Sequence, residues 1–217
     1  MRKIFIDCGA HNGSSVRFFS RNRLDWQEYE IFSFEPDPQH WNKWPVRVPI
    51  CDVNAVTIDH KEYDVIKKAV WIEDTTKDFY ITEANFRPEG GSTLNCAKDI
   101  HNKLKYQTNI GYKFETIQVT CIDINKFING LNIQKDDYVI MKLDVEGAEY
   151  DIIPYMIQNK TFEFINEFFI EWHNWRASRC PRPSNVHRYK STEDLLYEQL
   201  IKDMFNLDCK FWDAIDY

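Results

Sequence analysis

Acids stand at the ends of apolar runs in this chain. Lys3-Ile4-Phe5-Ile6 runs into Asp7 and then into a turn of small residues, Cys8-Gly9-Ala10-His11-Asn12-Gly13. Tyr29 to Phe34 runs into Glu35, which is followed by Pro36 and Pro38. Tyr138 to Leu143 runs into Asp144, with Lys142 two positions before it, and Phe164 to Ile170 runs into Glu171-Trp172-His173-Asn174. Carboxylates pair with cations and accept hydrogen bonds from hydroxyls, and a histidine moves protons near neutral pH. Glycines let a ligand approach the backbone where a Cβ would otherwise stand.

These groups meet only if the apolar runs are neighbouring strands of one α/β sheet, because such sheets bind ligands outside the carboxyl ends of their strands. The first run, the glycine turn and Ser14-Ser15-Val16-Arg17-Phe18-Phe19 read as strand, turn and helix start, with Ser14 or Ser15 as the N-cap. Glu35 lies 22 positions after Gly13, the spacing at which an acid on the second strand tip takes ribose hydroxyls. A solvated strand-end acid is the other reading. Pro36 and Pro38 stop that strand, since proline cannot continue a central ladder.

The remaining elements follow from period and punctuation. The stretch from Gln39 to Ile58 reads as a short helix and irregular chain around Trp41 and Trp44. Tyr63–Val70 is expected as a third strand, ending in Ala69 and Val70, and Lys77–Thr82 as an antiparallel extension. Arg87–Thr93 reads as a loop with a glycine pair, open to a role over a ligand or to none. Leu94–Tyr106 reads as helical and Phe114–Ile122 as a β-branched strand, after which Asp123 caps a helix from Ile124 to Gly130. Val145–Ile153 is a turn into a helix whose start suits Glu146 and Glu149, with Pro154 expected to kink it. Arg176–Lys190 reads as a long loop. A capping box opens at Ser191, and Leu196, Leu200 and Met204 with Tyr197, Ile201 and Phe205 give the last helix a core-facing stripe. Leu207–Trp212 alternates as a final strand. Strands alternating with helices predict a doubly wound, mostly parallel sheet in a single domain over residues 1–217, with halves of about 1–110 and 111–217.

A net charge of -7 argues against a duplex nucleic acid as the main partner. The six cysteines form no C-x-x-C pair and read as reduced thiols of a reducing compartment, placing the chain in the cytoplasm. The N-terminal apolar stretch breaks at Asp7, which is no signal peptide, and no run reaches the ~20 apolar residues of a membrane span.

Three stretches together resemble a known family. Phe5-Ile6-Asp7-Cys8-Gly9-Ala10-His11-Asn12-Gly13 is similar to the first motif of S-adenosylmethionine-dependent methyltransferases. Phe34-Glu35-Pro36-Asp37-Pro38 and Met141-Lys142-Leu143-Asp144-Val145-Glu146-Gly147-Ala148-Glu149 resemble the FkbM family within them, as do Gly91-Ser92-Thr93-Leu94 and Ile122-Asp123. The resemblance covers roughly Ile4 to His173. It implies the Rossmann-like class I methyltransferase fold, a seven-stranded sheet with one antiparallel strand near the edge. It also implies S-adenosyl-L-methionine as cofactor, and O-methylation of a sugar, glycan or other small hydroxylated metabolite.

In that frame Gly9, Ala10 and Gly13 accommodate the amino acid tail of the cofactor, and Asp7 holds its ammonium directly or through water. Glu35 accepts from the ribose hydroxyls, and Ala69 and Val70 either flank the adenine or pack in the core. Lys142 and Asp144 lie where the methyl group should point, or form a structural pair. His173 is the candidate general base, oriented by Glu171 or Asp144, or else a hydrogen-bonded strand-end histidine. A Mg²⁺ or Mn²⁺ ion on Asp144, Glu171 and His173 is a further reading that the spacing does not require, and no metal is expected. Trp172, Trp175, Arg176, Arg179 and Arg182 could stack on and pair with a sugar or an anionic acceptor, or equally form an exposed loop or a partner surface. A catalytically silent binding module is the main rival. A nicotinamide-dependent oxidoreductase needs G-x-G-x-x-G, which Gly9 and Gly13 do not provide. Oligomeric state is left open.

Overall fold

The computed structural model describes residues 1–50, 59–82, 114–173 and 190–212. In chain order these form β1 (Lys3–Cys8), α1 (Ser14–Asn22), β2 (Tyr29–Phe34), β3 (Val46–Ile50), β4 (Asp59–Tyr63), β5 (Val65–Ile66), β6 (Ala69–Trp71) and β7 (Thr75–Thr82). They continue as β8 (Phe114–Asp123), α2 (Ile124–Gly130), β9 (Tyr138–Leu143), α3 (Glu149–Gln158), β10 (Glu167–Ile170), α4 (Thr192–Phe205) and β11 (Cys209–Lys210).

The main sheet has six strands in the order β11-β10-β9-β1-β2-β5, and every pairing in it is parallel. Parallel strands at the centre of such a sheet are covered on both faces, which is why β1 and β9 read as unbroken apolar runs. Ile4, Phe5, Ile6, Val139, Ile140 and Met141 all have 0% exposure. Alternation divides them between two cores. Ile4, Ile6, Val139 and Met141 join Ile128, Ile152, Met156 and Ile201 from α2, α3 and α4 on one face. Phe5 and Ile140 join Val16 and Phe19 of α1 on the other, where the Phe5 ring stacks on Phe19 at 4.3 Å. Helical side chains cover both faces, as a doubly wound fold requires.

The antiparallel pairing lies outside that sheet. β6, β8 and β7 make a three-stranded sheet in the order β6-β8-β7, with β6 parallel and β7 antiparallel to β8. The expected third strand is split: Val65–Ile66 pairs with β2, and after Lys67-Lys68 the chain enters the second sheet as β6. Within Gln39–Ile58 the expected short helix is a 3-10 turn, Trp41–Lys43, but Val46–Ile50 is a strand, β3, antiparallel to β4 with Val46 opposite Tyr63. Its Pro49 obscured the strand pattern.

Local signals held where a side chain satisfies the backbone. Asp123 accepts from the amides of Asn125 and Lys126 at the start of α2. Ser191 and Asp194 exchange the two bonds of a capping box at α4. At α1 the N-cap is Gly13 rather than a serine, and Asn12 Oδ1 takes the Ser14 amide at 3.1 Å. Pro154 does not break α3, which continues to Gln158; Ile152, Ile153 and Met156 around it are fully buried, and their burial outweighs the missing hydrogen bond. The run from Phe164 begins as a short 3-10 turn, Thr161–Phe164, with the strand starting at Glu167. The final strand is reduced to Cys209–Lys210.

The expected core stripe of α4 holds for Ile201, Tyr197 and Phe205 but fails for Leu196, Leu200 and Met204. Leu196, Leu200 and Met204 are 57%, 37% and 54% exposed, whereas Ile201 is fully buried. The helix packs through Ile201, with Tyr197 and Phe205 half-buried beside it. The apolar residues of α4 spread over more than one face, so period alone did not identify the buried one.

Cys8, Cys121 and Cys209 are free thiols; Cys51, Cys96 and Cys180 lie outside the described residues. So do the residues read from the sequence as a loop at Arg87–Thr93, a helix at Leu94–Tyr106 and a loop from Arg176 up to Lys190. Among the described residues no helix is long and apolar enough to cross a membrane.

Candidate functional site

From β1 the chain goes to β2 and β5 on one side, then returns to β9, β10 and β11 on the other. The order therefore reverses between β1 and β9, and their carboxyl ends frame the crevice where ligands bind in such sheets. Asp7 and Lys142 are direct register partners across that boundary. The Lys142 ammonium lies 3.3 Å from Asp7 Oδ1 and 3.1 Å from Asp144 Oδ2, and it donates to the Gly9 carbonyl at 2.9 Å. Burial alone would lower the Lys142 pKa, but the Asp144 and Asp7 carboxylates outweigh it and hold the group above its ordinary value. Asp144 is held below the ordinary carboxylate range: burial opposes this, but the Lys142 and His173 charges prevail.

The glycine turn is locked against both neighbours. Gly9 has φ +83°, and a Cβ on it would stand 1.8 Å from the Asp144 carbonyl oxygen. Gly13 has φ +81°, and a Cβ there would stand 2.2 Å from a Val46 methyl. The amides of Gly9 and Ala10 both donate to Phe34 O. Trp44 Nε1 donates to His11 O at 3.0 Å, so the tryptophan of the unforeseen β3 approach braces the turn.

Glu35 stands at the tip of β2 and joins the two loops. One oxygen accepts the His11 amide at 2.7 Å and the other the Asp37 amide at 2.8 Å. Each oxygen retains a further lone pair. Burial pushes the Glu35 carboxyl up to about 8, although those two amides pull the other way. Ala69 and Val70 are each 3% exposed and belong to the main core, so the packing role is the visible one.

On the far side of Asp144 the chain surrounds one imidazole with carboxylates. His173 Nδ1 and Glu149 Oε1 are 2.7 Å apart. Its Nε2 lies 3.7 Å from Asp144 Oδ1, 3.5 Å from Glu146 Oε2 and 3.6 Å from Glu171 Oε1. Glu149 also accepts the Gly147 amide at 2.7 Å and the Val145 amide at 3.2 Å, so it shapes the turn as well as orienting the ring. Glu146 has φ 57°, a left-handed conformation rare for such a residue. Burial would lower the His173 pKa, but the Glu146, Glu149 and Asp144 charges raise it to about 10. A ring with protons on both nitrogens donates from both, so the general-base role read for His173 requires it first to lose one of them. Its hydrogen-bonded orienting partner is Glu149, not Glu171 or Asp144.

The strand-tip residues Asp7, Gly9, Ala10, Glu35, Lys142, Asp144, Glu171 and His173 line this one end of the main sheet, where sequence reasoning put them. It missed Glu149 and Glu146 as groups facing His173, having read both as complements to a helix dipole. The available signal was an acid repeated three positions on, in a glycine turn directly after a strand tip. Asp144, Glu146 and His173 have ligand atoms within 4.8 Å of one another, a grouping that could hold a metal ion, with Glu146 where the lower-ranked metal reading had Glu171.

Residues 7–198 match the family model of the methyltransferase FkbM domain. No curated protein and no solved structure matches the chain.

Proposed function

The chain belongs to the family of FkbM methyltransferase domains, and on that premise we propose that it moves a methyl group from S-adenosylmethionine to a hydroxyl oxygen of a small molecule or glycan. The observation that carries the reading is Glu35: a buried carboxylate at the β2 tip, tied by the His11 amide to the glycine turn of β1. A ribose needs an acceptor for its hydroxyls beside a turn that admits the rest of the nucleoside, and Glu35 with Gly9, Ala10 and Gly13 supplies both. When bound, the cofactor supplies a methyl group already activated on a sulfonium.

The residues of the chain do the positioning. Asp7 is fully buried; it anchors Lys142, and its hold on the ammonium of the cofactor is indirect. Lys142 fixes the Gly9 carbonyl and the Asp144 carboxylate, so one cation joins the turn to the acceptor side. Asp144 and Glu146 have side chains 25% and 23% exposed and receive the acceptor hydroxyl, whose proton passes into this carboxylate–imidazole cluster as the methyl group arrives, while Glu171 and His173 hold them from behind. Alignment of donor and acceptor is the main source of rate in such a displacement, worth up to ~7–11 kcal/mol.

Calorimetry with S-adenosylmethionine, followed by turnover of isotopically labelled donor in a metabolite mixture, tests the reading. Saturable binding and appearance of S-adenosylhomocysteine with a labelled product are expected. Absence of binding overturns it. Binding without turnover would point to a silent module.

A further inference from the structure

We propose that Asp144, Glu146 and His173, with Glu171 beside them, form a site for one divalent cation of the Mn²⁺ type. The centre of the site is His173 Nε2. The side chain is only 6% exposed and the nitrogen points into three carboxylates, yet their oxygens lie at 3.5, 3.6 and 3.7 Å. Those distances are too long for good hydrogen bonds. They are close to the separations that neighbouring ligands keep around a common ion, because donors each ~2.1–2.2 Å from a metal at tetrahedral to octahedral angles lie roughly 3.0–3.6 Å apart.

Orientation and charge point the same way. The 2.7 Å contact of Nδ1 with Glu149 sets the ring so that Nε2 faces the cluster, the arrangement that carboxylates impose on metal-binding histidines. Lys142 answers Asp7 and Asp144, and the Glu146, Glu149 and Glu171 carboxylates all reach the His173 ring. The left-handed Glu146 (φ 57°) is the strained residue that turns its carboxylate toward that nitrogen; strain of this kind, about 1–3 kcal/mol, is kept where geometry is used. Three carboxylate oxygens select a hard divalent ion, and the imidazole favours a transition metal over Mg²⁺ or Ca²⁺. The ion takes the place of the Nε2 proton. Its use in methyl transfer rests on the reading above; its binding does not.

The test is titration of the chelator-treated full chain with MnCl₂, reading free Mn²⁺ by electron paramagnetic resonance and heat by calorimetry. One saturable site per chain is expected, with Mn²⁺ raising the melting temperature. Glu146→Gln, on a partly exposed turn, and Asp144→Asn should each weaken binding more than about tenfold, while Glu35→Ala leaves it intact. Saturating S-adenosylmethionine should leave the Mn²⁺ site in place. The proposal is overturned by absence of a saturable site in the wild type, by wild-type affinity in both ligand variants, or by mutual exclusion of Mn²⁺ and S-adenosylmethionine, which would give these carboxylates to the cofactor ammonium. Binding of S-adenosylmethionine to the metal-free chain is measured separately, so failure of one reading is distinct from failure of the other.

Discussion

Gly9 and Asp144 touch through backbone alone: a Cβ on Gly9 would stand 1.8 Å from the Asp144 carbonyl oxygen. The tips of β1 and β9 can close on each other only because that position carries no side chain, and the closure sets Lys142 within reach of both.

Gly9→Ala therefore forces the two tips apart, and its φ of +83° adds strain for any L side chain. The variant should lose at least about 2 kcal/mol of stability and the greater part of its activity. Thermal unfolding with a turnover assay checks this; wild-type stability would show that the tips are not in register.

Lys142 is the cation between Asp7 and Asp144, and its side chain is 3% exposed. Lys142→Met leaves Asp7 buried without its partner and should cost about 3–5 kcal/mol. In the double variant Asp7→Asn/Lys142→Met part of that loss should return, because the stranded charge is gone. Urea denaturation of both variants gives the answer, and equal losses in the two would count against the pairing.

Glu35→Ala removes an acceptor of charge-assisted hydrogen bonds, each worth about 1.5–3 kcal/mol. Affinity for S-adenosylmethionine should fall roughly ten- to hundredfold. Because Glu35 also holds the His11 amide, Glu35→Gln is the companion variant and should fall between the two. Unchanged calorimetric affinity in Glu35→Ala would remove the ribose role.

Burial raises the Glu35 carboxyl from 4.5 to about 8, so the folded chain keeps this proton longer than the unfolded one. The stability this group contributes is present below the unfolded value and is lost as pH rises through about 8. Hydroxyl donors favour the ionised form, so affinity for S-adenosylmethionine should rise with pH up to about 8, and binding should release a proton. Calorimetry in buffers of different ionisation heat reads the proton directly; the dependence should vanish in Glu35→Gln.

Leu196, on the open face of α4, is 57% exposed. Leu196→Glu should change stability by less than about 0.5 kcal/mol, whereas Ile201→Ala, at a fully buried position, should cost about 2–5 kcal/mol. A large loss in Leu196→Glu would mean that the stripe is covered after all.

Sequence by itself determined the parts that depend on neighbours along the chain. Unbroken apolar runs announced β1 and β9 because both of their faces are buried. Asp123 and Ser191 announced helix starts because a cap is satisfied within three residues, and acids at the ends of the runs marked the strand tips. Tertiary structure alone decided which tips are adjacent and which side chains meet. The pairing of Asp7 with Lys142 needs the strand order β9-β1-β2, and the bond between Glu149 and His173 needs a left-handed turn at Glu146. The open face of α4 likewise depends on what packs against it. Periodicity and capping are local preferences, whereas strand order, register and turn handedness come from burying both faces of one sheet, to which residues far apart in the chain contribute together.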